Sequence, residues 1–194
     1  MKQVLLGAAL LLLAIECNGG QQAGDADIAK AKAAVQALAG ALQSELKSAI
    51  QAGGPVAAIE VCNTRAMPIT QQVSEEQDLN VSRVSLRNRN PANLPNDWQA
   101  AVLEDFERQK AAGKDVNGLV WSDTVVAGGG REFRFMKAIP TGDICLMCHG
   151  KQIPPEVSQV LAELYPADKA TGFAPGDIRG AFVVTGKTGG EAGN

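Results

Sequence analysis

The sequence holds one histidine in 194 residues. That excludes bis-histidine haem ligation within the chain, histidine-rich zinc sites and any mechanism that needs two imidazoles. Aromatic side chains are scarce too, at 4%, and all eight lie from Trp98 onward. The first half therefore has no large flat residue around which to build a core. Charge of one sign is missing as well: 18 Lys and Arg against 21 Asp and Glu leave a net −3. So mild an acidic balance does not suit a nucleic-acid binder or a polybasic membrane-surface binder. What remains is an ordinary globular composition, 45% hydrophobic and 20% charged. It is long enough for one domain with terminal appendages.

The start of the chain is unlike the rest. Met1-Lys2-Gln3 is followed by an uninterrupted apolar run from Val4 to Ile15, closed by Glu16-Cys17. One positive charge ahead of a short apolar run reads as a secretory signal over residues 1–17, too short for a comfortable bilayer span. Cys17 stands ahead of Asn18-Gly19-Gly20-Gln21-Gln22, a polar tether over residues 18–26. The layout resembles a bacterial lipoprotein in which Cys17 carries the lipid, although Ala14-Ile15-Glu16 departs from the usual Leu–small–Gly/Ala approach. The expectation is a periplasmic or otherwise extracytoplasmic protein whose only membrane link is a lipid on Cys17. The globular domain is expected over residues 27–187, and the Gly-rich residues 188–194 as a disordered tail.

Within the body, Ile28, Val35, Leu38, Leu42, Leu46, Ala49 and Ile50 recur mostly at three- and four-residue steps. This spacing predicts a helix over residues 25–52, stopped by Gly53-Gly54. Pro55 suits the first turn of a second helix with the stripe Val56, Ile59, Cys62, Ala66, Ile69 and Val73, kinked at Pro68. An extended stretch is expected over 81–89 and a third helix over 96–112. Strands are expected over 118–127 and 131–139, joined by Gly128-Gly129-Gly130, then a short helix over 155–164 and a last strand over 178–185. This order describes an α+β domain, a small antiparallel sheet with helices against it.

The sole histidine belongs to Cys145-Leu146-Met147-Cys148-His149, the C-x-x-C-H attachment signature of a c-type haem. Two thiols three positions apart on a helical turn reach the two vinyl groups of one porphyrin, and the adjacent imidazole meets the iron. Other readings are weaker. A thioredoxin-like motif needs a buried strand directly before it, whereas Ile139-Pro140-Thr141-Gly142-Asp143 reads as a turn. A zinc site needs a second ligand pair, and only Cys62 remains in the body. A Cys145–Cys148 disulfide closes a short, strained loop. The cofactor expected is one covalent haem c, with Cys145 and Cys148 as thioethers and His149 as proximal ligand.

For the opposite face of the iron, spacing leaves Cys62 balanced between ligand and small core filler. Met147 lies inside the attachment loop, Met67 falls off the helical stripe, and Met136 is the fallback. Arg83, Arg87 and Arg89 alternate, which in a strand puts them on one face, as partners for haem propionates or as a solvated basic edge.

Several stretches together resemble the single c-haem domains with a PAS-like fold, a family long catalogued as a domain of unknown function and typified by a cyanobacterial cytochrome with Cys/His axial ligation. They are Ala58-Ile59-Glu60-Val61-Cys62; Arg83 through Asn93; the C-x-x-C-H segment; and Tyr165-Pro166-Ala167-Asp168 through Gly176-Asp177-Ile178-Arg179-Gly180-Ala181. The resemblance spans most of residues 27–185. It implies a PAS-like antiparallel sheet with long N-terminal helices, His149 as proximal ligand and Cys62 as distal thiolate.

A thiolate ligand lowers an iron reduction potential, whereas Met raises it. With both axial positions filled and no second His for acid–base work, a catalyst is disfavoured. The expected function is electron transfer with a redox partner protein. The alternative is a redox or small-gas sensor that signals through a separate partner.

Overall fold

The computed structural model describes residues 23–188. The expected signal, Cys17, the tether up to residue 22 and all but the first residue of the expected tail lie outside the described residues. Among those described, no helix is long and apolar enough to cross a membrane.

The first element, α1, runs Asp25–Gln77 and keeps helical dihedrals except at Gly53 (φ −155°, ψ 19°) and Gly54 (φ 73°, ψ −167°). The positive φ of Gly54 is cheap only for glycine. At this break the chain reverses, and Pro55 then opens a second arm where its missing N–H costs nothing. The antiparallel return is recorded by Arg65 Nε, 3.4 Å from Glu45 Oε1, and by Lys30 Nζ, which donates to the Asp78 carbonyl at 3.5 Å. Pro68, expected to kink the second arm, keeps helical dihedrals. It sits on the exposed side, where water can serve the carbonyl that a proline leaves without its helical donor.

The other elements are β1 (Asn80–Val84), α2 (Asp97–Ala111), β2 (Val120–Ala127), β3 (Gly130–Pro140), α3 (Asp143–His149), α4 (Pro155–Leu164) and β4 (Ile178–Lys187). The four strands form one antiparallel sheet in the order β1-β4-β3-β2. α2 starts with a capping box in which Asn96 and Gln99 each bond the other's backbone N–H. β2 and β3 meet through Gly128 and Gly129, both at positive φ, with Ala127 paired to Gly130. That is the two-residue reversal that matches strand twist. The extended stretch expected over 81–89 is cut short at Val84. There Ser85 Oγ accepts from the backbone N–H of Arg87 and donates to the Arg179 carbonyl, turning the chain out of the sheet.

Alternation along the strands builds a core on each face. On one side Ala31, Ala34, Val35 and Leu38 of the first arm of α1 join Ile69 and Val73 of the second arm against Val81, Phe133, Phe135 and Val184. The aromatic rings missing from the first half are thus supplied across the interface by β3. On the other side Val102, Leu103 and Phe106 of α2 pack on Met136, Ala138, Ala181 and Val183. Phe106, Phe133 and Phe135 are fully buried, and truncating one to alanine costs roughly 3–5 kcal/mol. A smaller cluster joins Ile59 on the second arm to Val157, Leu161 and Tyr165, with Cys148 packed against it.

Candidate haem site

α3 is the seven-residue helix that carries the C-x-x-C-H segment, and α1 packs against both it and α4. Cys145 and Cys148 are three apart on this helix, which puts them on one side of it. His149 closes the helix, and the chain beyond it is stitched down. Phe173 N–H donates to the His149 carbonyl at 2.9 Å, and Gly172 N–H to the Gly150 carbonyl at 2.8 Å.

The His149 ring is fixed by its far nitrogen. Nδ1 lies 2.6 Å from the Ala170 carbonyl oxygen, an acceptor only, so Nδ1 carries the proton and Nε2 keeps a lone pair. This is the arrangement that orients a ligating imidazole and raises its basicity. Burial first, then the Arg179 and Arg89 guanidiniums, push the imidazole well below its ordinary value and keep it neutral. Phe173 meets it edge-on, with ring centroids 6.3 Å apart.

Cys62 approaches from the second arm of α1. It is half-buried, is a free thiol and belongs to none of the three apolar clusters. Burial pushes its thiol up, opposed by the positive charge of Arg83 and Arg89. Cys148 is pushed up likewise by burial, and charge on Cys62 raises it further. Burial pushes the Tyr165 phenol up, opposed by Asn63, the residue after Cys62; Cys62 raises it further, and Arg89 and Arg83 lower it. Cys62 therefore lies within the electrostatic reach of two guanidiniums, a phenol and another thiol. Met136, the fallback ligand, is fully buried beneath α2 among Leu103, Phe106 and Val183. Its sulfur is committed to the other face of the sheet.

Arg83, Arg87 and Arg89 do not share one strand face, because β1 has ended before the latter two. They still converge on the site by different routes. Arg83 leaves β1 and buries an Nε that has no hydrogen-bond partner. Arg87 lies over the Phe173 ring at 3.9 Å and donates to the Thr171 carbonyl. Arg89 holds the buried Asp168 carboxylate at 2.9 Å, and its Nη2 donates to the Cys148 carbonyl at 2.5 Å and the Ala170 carbonyl at 3.3 Å.

A fourth arginine escaped the spacing argument. Arg179 Nη2 lies 3.4 Å from His149 Nε2, and its own Nε is buried without a partner. The β3–β4 register explains how it gets there. Ile139 pairs with Gly180 and Pro140 with Ile178, so Arg179 is the extra residue of a β-bulge. Bulges re-aim a side chain, and Gly180, at φ 155°, lets β4 pass against the Val84 carbonyl. No periodicity in the sequence announces a bulge.

Among the described residues, no group of three or more His, Cys, Asp and Glu side chains is arranged to hold a metal ion. The donor set fits a haem instead. Two thiols stand beside one neutral imidazole with a lone pair, a third thiol comes from another element, and Arg83 and Arg179 each bury an Nε–H without a partner. The lone pair of Nε2 can serve Arg179 or an iron, so ligation requires that guanidinium to shift.

A family model described as Tll0287-like matches residues 20–186. The chain belongs to the Tll0287-like family. The crystal structure of the cyanobacterial heme-protein Tll0287 is similar with a TM-score of 0.59 at 22% sequence identity, covering 88% of this chain and 100% of that one. At that identity the likeness shows a shared fold. No curated protein sequence matches. For this Tll0287-like chain the match spans every site residue from Cys62 to Arg179.

Proposed function

We propose that this protein is an extracytoplasmic electron-transfer protein that carries one covalent haem c. Cys145 and Cys148 form the thioethers, His149 is the proximal ligand and Cys62 the distal thiolate. The observation that carries this reading is the packing of α1 against α3, where Ile59, one turn before Cys62, belongs to the cluster on which Cys148 packs, with Cys62 in the field of Arg83 and Arg89. Membership of the Tll0287-like family supports it, as does the shared fold with the cyanobacterial heme-protein Tll0287. We read the four-stranded antiparallel sheet with its helices as PAS-like on the same grounds.

When bound, the haem supplies a one-electron iron couple. The chain's own residues set its conditions. The Ala170 carbonyl holds the imidazole in the ligating tautomer and makes it a stronger donor. Arg83 and Arg89 favour the thiolate form of Cys62, and coordination to a cation deprotonates a thiol outright. Two filled axial positions leave no open site for a substrate, so the protein is read as a carrier and not a catalyst. The apolar run at residues 4–15 directs export, Cys17 is the candidate lipid anchor, and the partner is a redox protein.

The second reading, a redox or small-gas sensor acting through a separate signalling partner, draws on one feature. Cys62 alone among the ligands has no tie to the attachment loop, and it is half-buried, so it can part from iron.

The test is expression in a host that matures c-type cytochromes, followed by haem staining of the denatured chain and ferric and ferrous spectra beside Cys62→Ala. Covalent haem and a ferric spectrum that changes in Cys62→Ala are expected. A chain without covalent haem overturns the proposal. Carbon monoxide binding to the ferrous protein selects the sensor reading, and rapid electron exchange with a partner cytochrome the carrier.

A further inference from the structure

The four guanidiniums around His149 and Cys62 are not equivalent. Arg89 is saturated by Asp168, the Cys148 carbonyl and the Ala170 carbonyl. Arg87 is stacked on Phe173 and bonded to Thr171. Arg83 and Arg179 each bury an Nε–H with no acceptor. Arg179 also has its Nη2 on His149 Nε2, a lone pair that iron ligation takes away. Charge is unbalanced in the same place. The carboxylates nearby are Asp168, taken by Arg89, Asp177, taken by Lys110 at 2.5 Å, and Glu45, which acts on Cys62 and is taken by Arg65 at 3.4 Å. A buried cation without an anion is unfavourable, and a guanidinium is built to accept a carboxylate with two parallel donors.

We propose that Arg83 and Arg179 receive the two propionates of the haem, one each, while Arg87 and Arg89 build the frame around them. The inference rests on the haem reading above. Two independent features of the chain point to it: the orphaned donors themselves, and the bulge at Arg179, which places an extra β4 residue beside His149. The two carboxylates of one porphyrin match, in number and in acceptor chemistry, two guanidiniums that each bury an Nε–H without an acceptor. Arg179 also feels the positive charge of Arg89 and, less strongly, of Arg83, which burial makes costly. An anion bound at Arg179 offsets that repulsion.

The experiment compares haem-loaded wild type with Arg83→Gln, Arg179→Gln, the double variant of these two, and Arg179→Lys by resonance Raman spectroscopy and redox titration. The propionate bending bands should shift in both glutamine variants. Removing a positive charge favours the ferric state. The ratio of oxidised to reduced protein at a fixed poise should therefore rise several-fold in each variant and about tenfold in the double variant. Tenfold corresponds to about 59 mV for one electron. Arg179→Lys should restore the potential while leaving the band shifted, and it carries the reading if Arg179→Gln fails to load. Propionate bands and potentials unchanged from wild type overturn the assignment. So does a loss of stability with unchanged bands, which marks a merely structural role. Wild-type chain without haem sinks the functional reading itself, a distinguishable result.

Discussion

Arg89 donates through Nη2 to the main-chain carbonyl of Cys148 at 2.5 Å, joining the turn after β1 to the helix that carries the attachment motif. Its Nε holds Asp168 at 2.9 Å, and both side chains of this pair are about nine-tenths buried, 11% and 10% exposed. The frame of the site is therefore an ion pair with hydrogen bonds to spare, not a surface contact. Arg89→Gln, which leaves the Asp168 carboxylate buried and unpaired, should cost roughly 3–5 kcal/mol, the usual effect of breaking one half of a buried pair. Urea unfolding midpoints of wild type, Arg89→Gln and the double variant with Asp168→Asn check this. The double variant should recover part of the loss.

Covalent attachment should depend on the two thiols separately. Cys145→Ser and Cys148→Ser are each expected to keep a single thioether, and the double variant to yield haem that acidified acetone extracts. Haem staining after denaturing electrophoresis reads the result. A double variant that still stains would remove these cysteines from the attachment chemistry.

Gly180→Ala should be damaging for two reasons at one position. Its φ of 155° is unfavourable to a side chain, and an added Cβ would run into the Val84 carbonyl, which is backbone and cannot swing aside. The overpacking costs about 1–3 kcal/mol, measurable as a lower denaturation midpoint. The same substitution should disturb the bulge that places Arg179, so the haem spectrum is expected to change beyond what a simple loss of stability produces.

Acid sensitivity should trace in part to Asp177. The hydrogen bond from Lys110, then the N–H of Ala174, hold its carboxyl below the usual carboxylate range. A depressed folded value contributes stability that is present above the unfolded pKa, about 3.9, and is lost as pH falls through the folded value. The pair is about a third exposed, so the contribution is at most about 1 kcal/mol. Asp177→Asn should be less stable than wild type at pH 7, with the gap closing below pH 4. A gap of equal size at both pH values would assign the effect to packing instead.

Much of this arrangement was legible in the residues. Gly53-Gly54-Pro55 carries its own break, because a positive φ and a proline at a first turn are local facts. The capping residues of α2, the glycines between β2 and β3, and the C-x-x-C-H segment are local as well. What spacing could not convey is non-local. The turn at Ser85 depends on its bond to the Arg179 carbonyl, far along the chain, so alternation of Arg83, Arg87 and Arg89 suggested a strand that ends early. Arg179 is placed by a register shift between β3 and β4, which exists only once the strands have paired. Cys62 lay on an apolar stripe and was equally compatible with a core position. Its charged and phenolic neighbours come from β1, the turn after it and the end of α4.

The placement of Cys62 and His149 along the chain has a thermodynamic side. Cys62 precedes every strand, whereas His149 follows three of the four. An iron joined to both would cross-link close to half of the polypeptide into a closed loop. Closing a loop restricts the unfolded chain, and more so as the loop lengthens. Rupture of the sulfur–iron bond alone would reopen it. Resistance to unfolding would then differ between the ferric and ferrous protein, and the oxidation state of one atom would be written into the stability of the whole domain.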